Sequence, residues 1–437
     1  MIEKCKILIR MVCMILVSAF LSLIFLCGIY ALPADGEVFQ NVQASTRIFE
    51  KEGDTFSWSF GSISGVLDNV TDSVMLRKAI FPGTGNILVD TLQNPGYTYN
   101  ETNPVEALLK ELNHENDGMV VQNYGRYWHG YLLYLKPLLF FGTVGQIRML
   151  NGMVQLLLAF YLFMLIGEKL GKRFQWAFLF TYLSLNPISL AMSFQYSSMY
   201  YMMILTSLCI LHNENRLVEN SRYLFIFTAA GIGTAFFDFL TYPLVSYGIP
   251  MVLLLLLLEK SQQLKEKWSG IAIAIRCGLG WAFGYGGMFL SKWLLLWGFI
   301  GYGAFQEAVG QAVYRMSDSI TESEAVWGSG SALSCSIPEV IVLNVAGMMQ
   351  NPVCWLLLVL FVIGTGKFWG KSRKSRKNKN QLPLRNALGL VAISPFVWYA
   401  VLTNHSFLHF WFTFRELSIF IFAMSCLYIV KWQQYEK

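Results

Sequence analysis

The feature that most constrains this chain is a series of apolar runs about as long as a lipid bilayer is thick. Ile7–Ile29 is one such run, and Leu244–Leu258 with its flanks is another. A helix needs roughly 20 apolar residues to cross a hydrocarbon core about 30 Å thick. Backbone groups in lipid must bond to each other, so runs without strict alternation form helices. Only 14% of the 437 residues are charged, against about 25% in soluble domains. The sequence therefore predicts an all-α, polytopic helical membrane protein.

Lysine and arginine cluster in short tracts between the apolar runs. The main tracts are Gly370–Asn380, Gly167–Arg173 and Glu259–Trp268. Such tracts are typical of cytoplasmic loops, so both termini are predicted on the cytoplasmic side of the plasma membrane. The tracts also explain the net charge of +6 without nucleic acid, since no basic-aromatic interleaving occurs. About ten spans are predicted, at residues 7–30, 147–166, 174–192, 196–211, 223–240, 244–258, 271–291, 352–366, 387–402 and 416–431.

Two long polar stretches interrupt the spans of what we predict to be a single membrane domain. Residues 1–30 hold the first span and residues 31–146 a large extracytoplasmic loop. Residues 147–291 hold further spans, residues 292–350 a second extracytoplasmic stretch, and residues 351–437 the C-terminal helices. Connections are usually only about 4–6 residues long, and long ones are usually functional. Because the span interiors are nearly free of charge, we expect the activity at the extracytoplasmic face.

The first polar stretch supplies the candidate catalytic acids Asp35, Asp68 and Asp72. Asp35 follows the first span closely, and Asp68 and Asp72 share a face if their segment is helical. A carboxylate at the membrane surface can act as general base for an acceptor hydroxyl or help to hold a divalent cation. The alternative is structural, because Asp68 is also a good residue to cap a helix.

The candidate substrate-binding residues come from three further segments. YGRYWHGYLLYLKP contains Arg126 and His129, and arginine suits bidentate phosphate contacts. FFDFLTYP places Asp238 among aromatic residues, where an acid is either functional or paired with an arginine. An aromatic belt at the membrane interface is the alternative interpretation of the aromatic residues around these sites.

NHSFLHFWFTFR contains His405, His409 and Arg415. The two histidines are four residues apart, so they share a helix face and suit the binding of a phosphate group. HxxxH alone is a weak zinc signature, so the metal is left unknown, with a divalent cation as one candidate cofactor. The glycines of Gly278–Gly287 lie within a span, where they predict close helix packing.

The order of these features resembles the GT-C class of integral-membrane glycosyltransferases. The resemblance consists of one N-terminal span, a long outer stretch with an acid soon after that span, and a body of many helices. The segments RYWHGYLLYLKPLL, FFDFLTYP and NHSFLHFWFTFR are similar to motifs in bacterial membrane proteins of the O-antigen glucosyltransferase type. A likeness of architecture alone does not determine function.

The resemblance implies transfer of a sugar from a polyprenyl-phosphate donor to a glycan or cell-envelope acceptor outside the cytoplasm. It would place the catalytic acid on Asp35 by position. The chain has Asp35-Gly36-Glu37 where many relatives have adjacent acids, so Asp68 and Asp72 remain candidates. The resemblance does not settle the cofactor. Two alternatives are a surface-polysaccharide polymerase and a non-enzymatic transporter or flippase of lipid-linked sugars.

Overall fold

The computed structural model of the chain describes residues 2–59, 61–100, 102–214, 222–321, 333–371 and 382–436. Helices dominate this part of the chain, and its strands form one two-stranded sheet. The predicted all-α class is confirmed. Most of the basic tract at 370–380 and part of the second polar stretch lie outside the described residues.

Residues 31–143, here called the polar segment, fold into a layer of short elements rather than an open loop. The strands β1 and β2 pair in antiparallel register, with Pro95 opposite Asn123 and Tyr99 opposite Met119. Asn86 and Asn103 cap two of the helices by accepting a backbone N–H. The elements are α2 (Glu37–Gln43), α3 (Thr46–Glu52), α4 (Asn69–Ile80), α5 (Ile87–Gln93), β1 (Pro95–Tyr99), α6 (Pro104–Leu112), β2 (Met119–Asn123) and α7 (Leu132–Leu139).

The polar segment lies between α1 (Ile2–Tyr30) and a body of longer helices. A helix or helix pair covers most of each predicted span. The body comprises α8 (Val144–Lys169), α9 (Lys172–Ser184), α10 (Pro187–Met192), α11 (Phe194–His212), α12 (Tyr223–Phe237), α13 (Val245–Lys260), α14 (Ser269–Phe299), α15 (Tyr302–Met316), α16 (Ile337–Met349), α17 (Pro352–Lys371), α18 (Leu382–Val401), α19 (Thr403–Leu408), α20 (Phe410–Thr413) and α21 (Leu417–Glu436).

Four of the described helical stretches are long and apolar enough to cross a membrane. They are Cys5–Tyr30, Val144–Lys169, Leu382–Val401 and Phe410–Gln433. A fifth is obtained if Ile337–Met349 and Pro352–Leu360, which meet at 94°, form one broken span. Large apolar side chains such as Phe20 (63% exposed) and Leu157 (68% exposed) cover the outside of these helices, as expected for association with a lipid bilayer. The count of ten spans and the cytoplasmic termini stay predictions.

The predicted third span, residues 174–192, is not one continuous helix. The helix α9 ends at Ser184, and α10 begins at Pro187. Between them Asn186 adopts a left-handed conformation with φ of 60° and accepts a hydrogen bond from the backbone of Ser189. Proline is favoured in the first turn of a helix but lacks the N–H that continuing α9 would need. The helix is therefore interrupted at this point.

Close packing of α12 against α14 depends on glycine, as predicted. A Cβ atom at Gly231 would lie 2.1 Å from the carbonyl oxygen of Trp281. One at Gly284 would lie 2.2 Å from the carbonyl oxygen of Thr228. Only glycine allows backbones to approach this closely. The helix pair joins two apolar cores, one among the body helices and one shared by α1 and the polar segment.

Candidate functional site

A cavity of 320 Å³ lies where the polar segment meets α14, α15 and α18. We call it the arginine cavity, because Arg126 and Arg315 are its charged lining residues. Aromatic rings form one wall, with Tyr285 and Phe289 centred 5.1 Å apart and Phe289 and Trp293 6.0 Å apart. The lining consists of Arg126, Tyr127, Leu240, Tyr285, Gly286, Phe289, Trp293, Ala308, Gln311, Ala312, Arg315, Met316, Trp398, Val401 and Leu402.

Arg126 reaches the cavity from a stretch that is fixed to α14 by two indoles. The Trp128 indole N–H donates to the carbonyl oxygen of Met288 at 2.8 Å. In return, the Trp293 indole N–H donates to the carbonyl oxygen of Arg126 at 3.0 Å. The guanidinium carbon of Arg126 lies 4.3 Å from the centre of the Tyr124 ring, within the range of a cation–π contact. The side chain also pairs with Glu307 at 2.8 Å.

Arg315 approaches the same cavity from α15, where it donates to the side-chain oxygen of Asn404 at 3.3 Å. Burial raises the pKa of Tyr127 to about 12, and the positive charges of Arg126 and Arg315 oppose that shift. Both positive charges therefore act on the Tyr127 hydroxyl. The cavity thus combines two cations with a lining that is otherwise mostly apolar and aromatic, apart from Gln311.

The histidines of NHSFLHFWFTFR lie beside Arg315, and their ring centres are 4.7 Å apart. His405 donates from Nε2 to the carbonyl oxygen of Leu240, a lining residue of the cavity. The Nδ1 atoms of His405 and His409 are buried and have no hydrogen-bond partner among the described residues. Burial, assisted by the positive charge of Arg315, lowers the pKa of His405 to about 3, so this imidazole is neutral.

Asp238 shapes the cavity without facing it. It is 2% exposed, and its carboxylate accepts hydrogen bonds from the backbone N–H (3.0 and 3.1 Å) and the hydroxyl of Thr241. These bonds hold the turn after α12, where Leu240 adopts a left-handed φ of 67°. Because β- and γ-branched residues rarely adopt that conformation, the Asp238–Thr241 bonds and the His405 bond to Leu240 maintain it together.

His129 is also buried, and its hydrogen bonds stabilise the backbone next to Arg126. It has a left-handed φ of 58° and is 1% exposed. Its Nε2 donates to the carbonyl oxygen of Tyr124 at 2.7 Å, and the Tyr131 hydroxyl lies 3.0 Å from Nδ1. Burial holds its pKa well below the usual range. A neutral imidazole that accepts from Tyr131 fits both contacts, and it fixes the stretch that carries Arg126.

The other predicted acids lie in a second, buried group that we call the acid cluster. It consists of Asp68, Asp72, Arg148, Tyr196 and Arg415. Asp68 caps α4, accepting from the backbone N–H (3.0 Å) and hydroxyl (2.9 Å) of Thr71. Asp72 caps α11, accepting from the backbone N–H groups of Phe194 and Gln195 at 3.1 Å each. Burial raises the pKa of Asp68 to about 6 and that of Asp72 to about 7.

Two arginines balance the charge of the acid cluster. Arg148 pairs with Glu52 at 2.9 Å, donates to the Asn69 side chain at 2.9 Å, and lies 3.9 Å from Asp72. The guanidinium carbon of Arg415 lies 4.0 Å from the centre of the Tyr196 ring. The buried Tyr196 hydroxyl has no hydrogen-bond partner among the described residues. The Nε atom of Arg148 is likewise buried without a partner among the described residues. Most polar groups of the cluster are therefore bonded, and these two are not.

Asp35 lies apart from both groups. It is exposed at the surface after α1. Its charge acts on Lys136, which donates to the carbonyl oxygen of Leu32 at 2.9 Å. Burial lowers the pKa of Lys136 to about 8, and the charge of Asp35 opposes that shift. Asp35 is therefore free to contact a molecule from solvent, unlike Asp68 and Asp72.

Of the predicted binding residues, Arg126 lines the arginine cavity, whereas His405 and His409 do not line it and His405 bonds to the lining residue Leu240. The structure adds Arg315 to the lining, a residue that the sequence reasoning had missed. Arg315 lies in a stretch interpreted only as polar and rich in glycine and serine. A signal was present, because Ala308, Gln311, Ala312 and Arg315 have the spacing of one helix face.

No group of three or more His, Cys, Asp or Glu residues is placed to hold a metal within the described ranges. The chain matches no family model, no curated protein and no solved structure.

Proposed function

We propose that the chain is an integral-membrane glycosyltransferase. It takes a sugar from a polyprenyl-phosphate donor and transfers it to a glycan or cell-envelope acceptor outside the cytoplasm. The observation that carries this proposal is the arginine cavity, where an aromatic wall adjoins two guanidinium groups. That combination suits a ligand with an apolar chain and an anionic phosphate, because guanidinium groups bind phosphate in bidentate fashion.

In this mechanism Arg126 and Arg315 bind the phosphate that joins lipid and sugar. The acceptor oxygen bonds to the anomeric carbon while the bond from that carbon to the phosphate oxygen breaks. The electron pair of that bond leaves with the phosphate, whose growing negative charge the two guanidinium groups stabilise. Neutral His405 and His409 fill the space behind Arg315 without adding charge.

A carboxylate of the polar segment takes the proton from the acceptor hydroxyl. A general base works best when its pKa lies near the working pH. The pKa values of about 7 for Asp72 and about 6 for Asp68 suit this role, whereas the burial of both carboxylates and the hydrogen bonds that they already accept oppose it. Exposure favours Asp35 instead. All three remain candidates for the base.

The test is transfer of radiolabelled sugar from a polyprenyl-phosphate donor by the full chain in lipid vesicles. Arg315→Ala and Arg126→Ala are each expected to reduce the rate about 10²–10³-fold, the usual effect of removing one donor that stabilises developing negative charge. Arg47→Ala removes an exposed arginine of the polar segment and serves as control. The same assay with and without a chelator decides the requirement for a divalent cation.

Host glycans separate this proposal from its alternatives. Loss of a transferase removes one sugar from the surface glycan or from the envelope acceptor, whereas loss of a polymerase leaves single repeat units. A flippase would move labelled lipid across the vesicle without cleaving the sugar from phosphate. Full transfer by both arginine variants would contradict the proposed role of the arginine cavity.

A further inference from the structure

A second cavity, of 330 Å³, lies between α7, the first half of α8 and the first half of α11. Three of its lining residues also belong to the exposed apolar surface. They are Leu150 (46% exposed), Val154 (38%) and Leu205 (53%). The helix α8 is one of the stretches able to cross a membrane. The mouth of this cavity therefore opens on an exposed apolar surface beside α8, which a lipid reaches from the side when α8 spans the bilayer.

The polar groups of this cavity are hydroxyls and amides. None of the described residues that line it is charged, so we call it the neutral cavity. Tyr134 and Ser198 share a hydrogen bond of 3.1 Å in which either hydroxyl can donate. Tyr201 donates to the side-chain oxygen of Asn151 at 2.6 Å. Groups that both donate and accept suit hydroxyls, whereas an anionic phosphate would be desolvated here with no cation to pair with it.

The neutral cavity lies close to the arginine cavity and to an acid. Phe237 lines the neutral cavity and Leu240 lines the arginine cavity, and three residues span at most about 11 Å. The two cavities are thus separated by the turn that Asp238 holds. Phe194 also lines the neutral cavity, and its backbone N–H donates to Asp72.

We propose that the neutral cavity binds an uncharged lipid with a free hydroxyl in its head, entering sideways from the bilayer. Resting on the proposed function, we infer that this lipid is the acceptor. Its hydroxyl oxygen bonds to the anomeric carbon as the bond from that carbon to the phosphate oxygen breaks. The proton passes to a carboxylate of the polar segment, and the electron pair leaves with the phosphate.

Photocrosslinking of the full chain in phosphatidylcholine nanodiscs tests the binding. Two probes carry the same diazirine-bearing acyl chain, one as diacylglycerol and one as phosphatidic acid, so they differ by the phosphate. Diacylglycerol is expected to label peptides from α8 and α11 about tenfold more than phosphatidic acid, a difference of about 1.4 kcal/mol. Equal labelling by the two probes would overturn the assignment of an uncharged lipid.

Val154→Trp fills the mouth of the neutral cavity and is expected to reduce diacylglycerol labelling about tenfold. Leu157→Trp is the matched control, because Leu157 lies on the same helix, is 68% exposed and does not line the cavity. Equal labelling of the two variants, with unchanged thermal unfolding, would overturn the site.

Adding the sugar donor to the same nanodiscs tests the acceptor role. Glycosylated diacylglycerol from Leu157→Trp but not from Val154→Trp supports it. Labelled but unmodified diacylglycerol overturns the acceptor role, and leaves the binding site in place, when the same chain still transfers the sugar to another envelope acceptor. Loss of all transfer contradicts the proposed function instead. Arg315→Ala separates binding of diacylglycerol from transfer, since it should slow transfer about 10²–10³-fold and leave diacylglycerol labelling unchanged.

Discussion

The acid cluster and the arginine cavity contain the same kinds of residue in opposite settings. In the acid cluster, Asp72 accepts from two backbone N–H groups, and Arg148 pairs with Glu52. In the arginine cavity, Arg126 and Arg315 line 320 Å³ of open space beside aromatic rings. Charges in the first region hold helix ends and in the second face a place for a ligand. A charged residue in a motif thus reveals its role only through its surroundings.

The largest expected effect concerns the stability of the acid cluster. Arg148→Ala leaves the buried Asp72 and the partly buried Glu52 without their cationic partner. Removing one member of a buried ion pair costs about 3–5 kcal/mol. Thermal unfolding in detergent should show a strongly destabilised protein.

Arg47→Ala provides the comparison for that variant, since exposed positions usually change stability by less than about 0.5 kcal/mol. If Arg148→Ala unfolded at the wild-type temperature, the acid cluster would not be the structural support described above.

The next effect separates the acids by the pH dependence of transfer. A general base acts in its deprotonated form, so the rate rises as the pH passes through the pKa of that base. Burial raises the pKa of Asp72 to about 7 and that of Asp68 to about 6. A rise centred near pH 7 that Asp72→Asn removes would identify Asp72, with a rate loss of about 10²–10⁴-fold.

A rise near pH 6 that survives Asp72→Asn and disappears in Asp68→Asn would identify Asp68. Loss of the rate only in Asp35→Asn would return the role to the exposed acid next to α1. In that case every charged residue of the acid cluster would have a structural role, and the charged residues that act on the substrate would lie outside it.

Hydropathy predicts the helices well because each apolar run must be covered by lipid or protein wherever it lies. Pro187 is a sequence signal for the break between α9 and α10, but the apolar residues around it favoured the prediction of one continuous span. The capping role of Asp68 was foreseen as an alternative because its partner, Thr71, is three residues away.

Long-range partners are what the sequence does not reveal. Asp72 caps a helix that starts 122 residues later, and His405 bonds to a carbonyl group 165 residues earlier. Neither partner is a recognisable residue type, since any backbone can supply an N–H or a carbonyl group. Arg315 joined the cavity only when α15 folded against α14.

The smallest effect concerns the ion pair at the edge of the arginine cavity. Glu307 pairs with Arg126 at 2.8 Å, and its side chain is 50% exposed. Such pairs contribute only about 0.2–1 kcal/mol, so Glu307→Gln should leave thermal unfolding almost unchanged. It also releases Arg126 to bind phosphate. The KM for the polyprenyl-phosphate donor should therefore fall by up to about fivefold, the equivalent of roughly 1 kcal/mol, with kcat little changed.

The matched control for Glu307→Gln is Glu106→Gln. Glu106 is 49% exposed and pairs with Lys110 at 3.3 Å on the polar segment, and it does not line the arginine cavity. The two variants lose similar surface ion pairs, so a difference between their KM values measures what Glu307 does to Arg126. Equal KM values would mean that Arg126 does not contact the donor phosphate. Arg315 would then be the main phosphate ligand, and the arginine cavity would work with one cation instead of two.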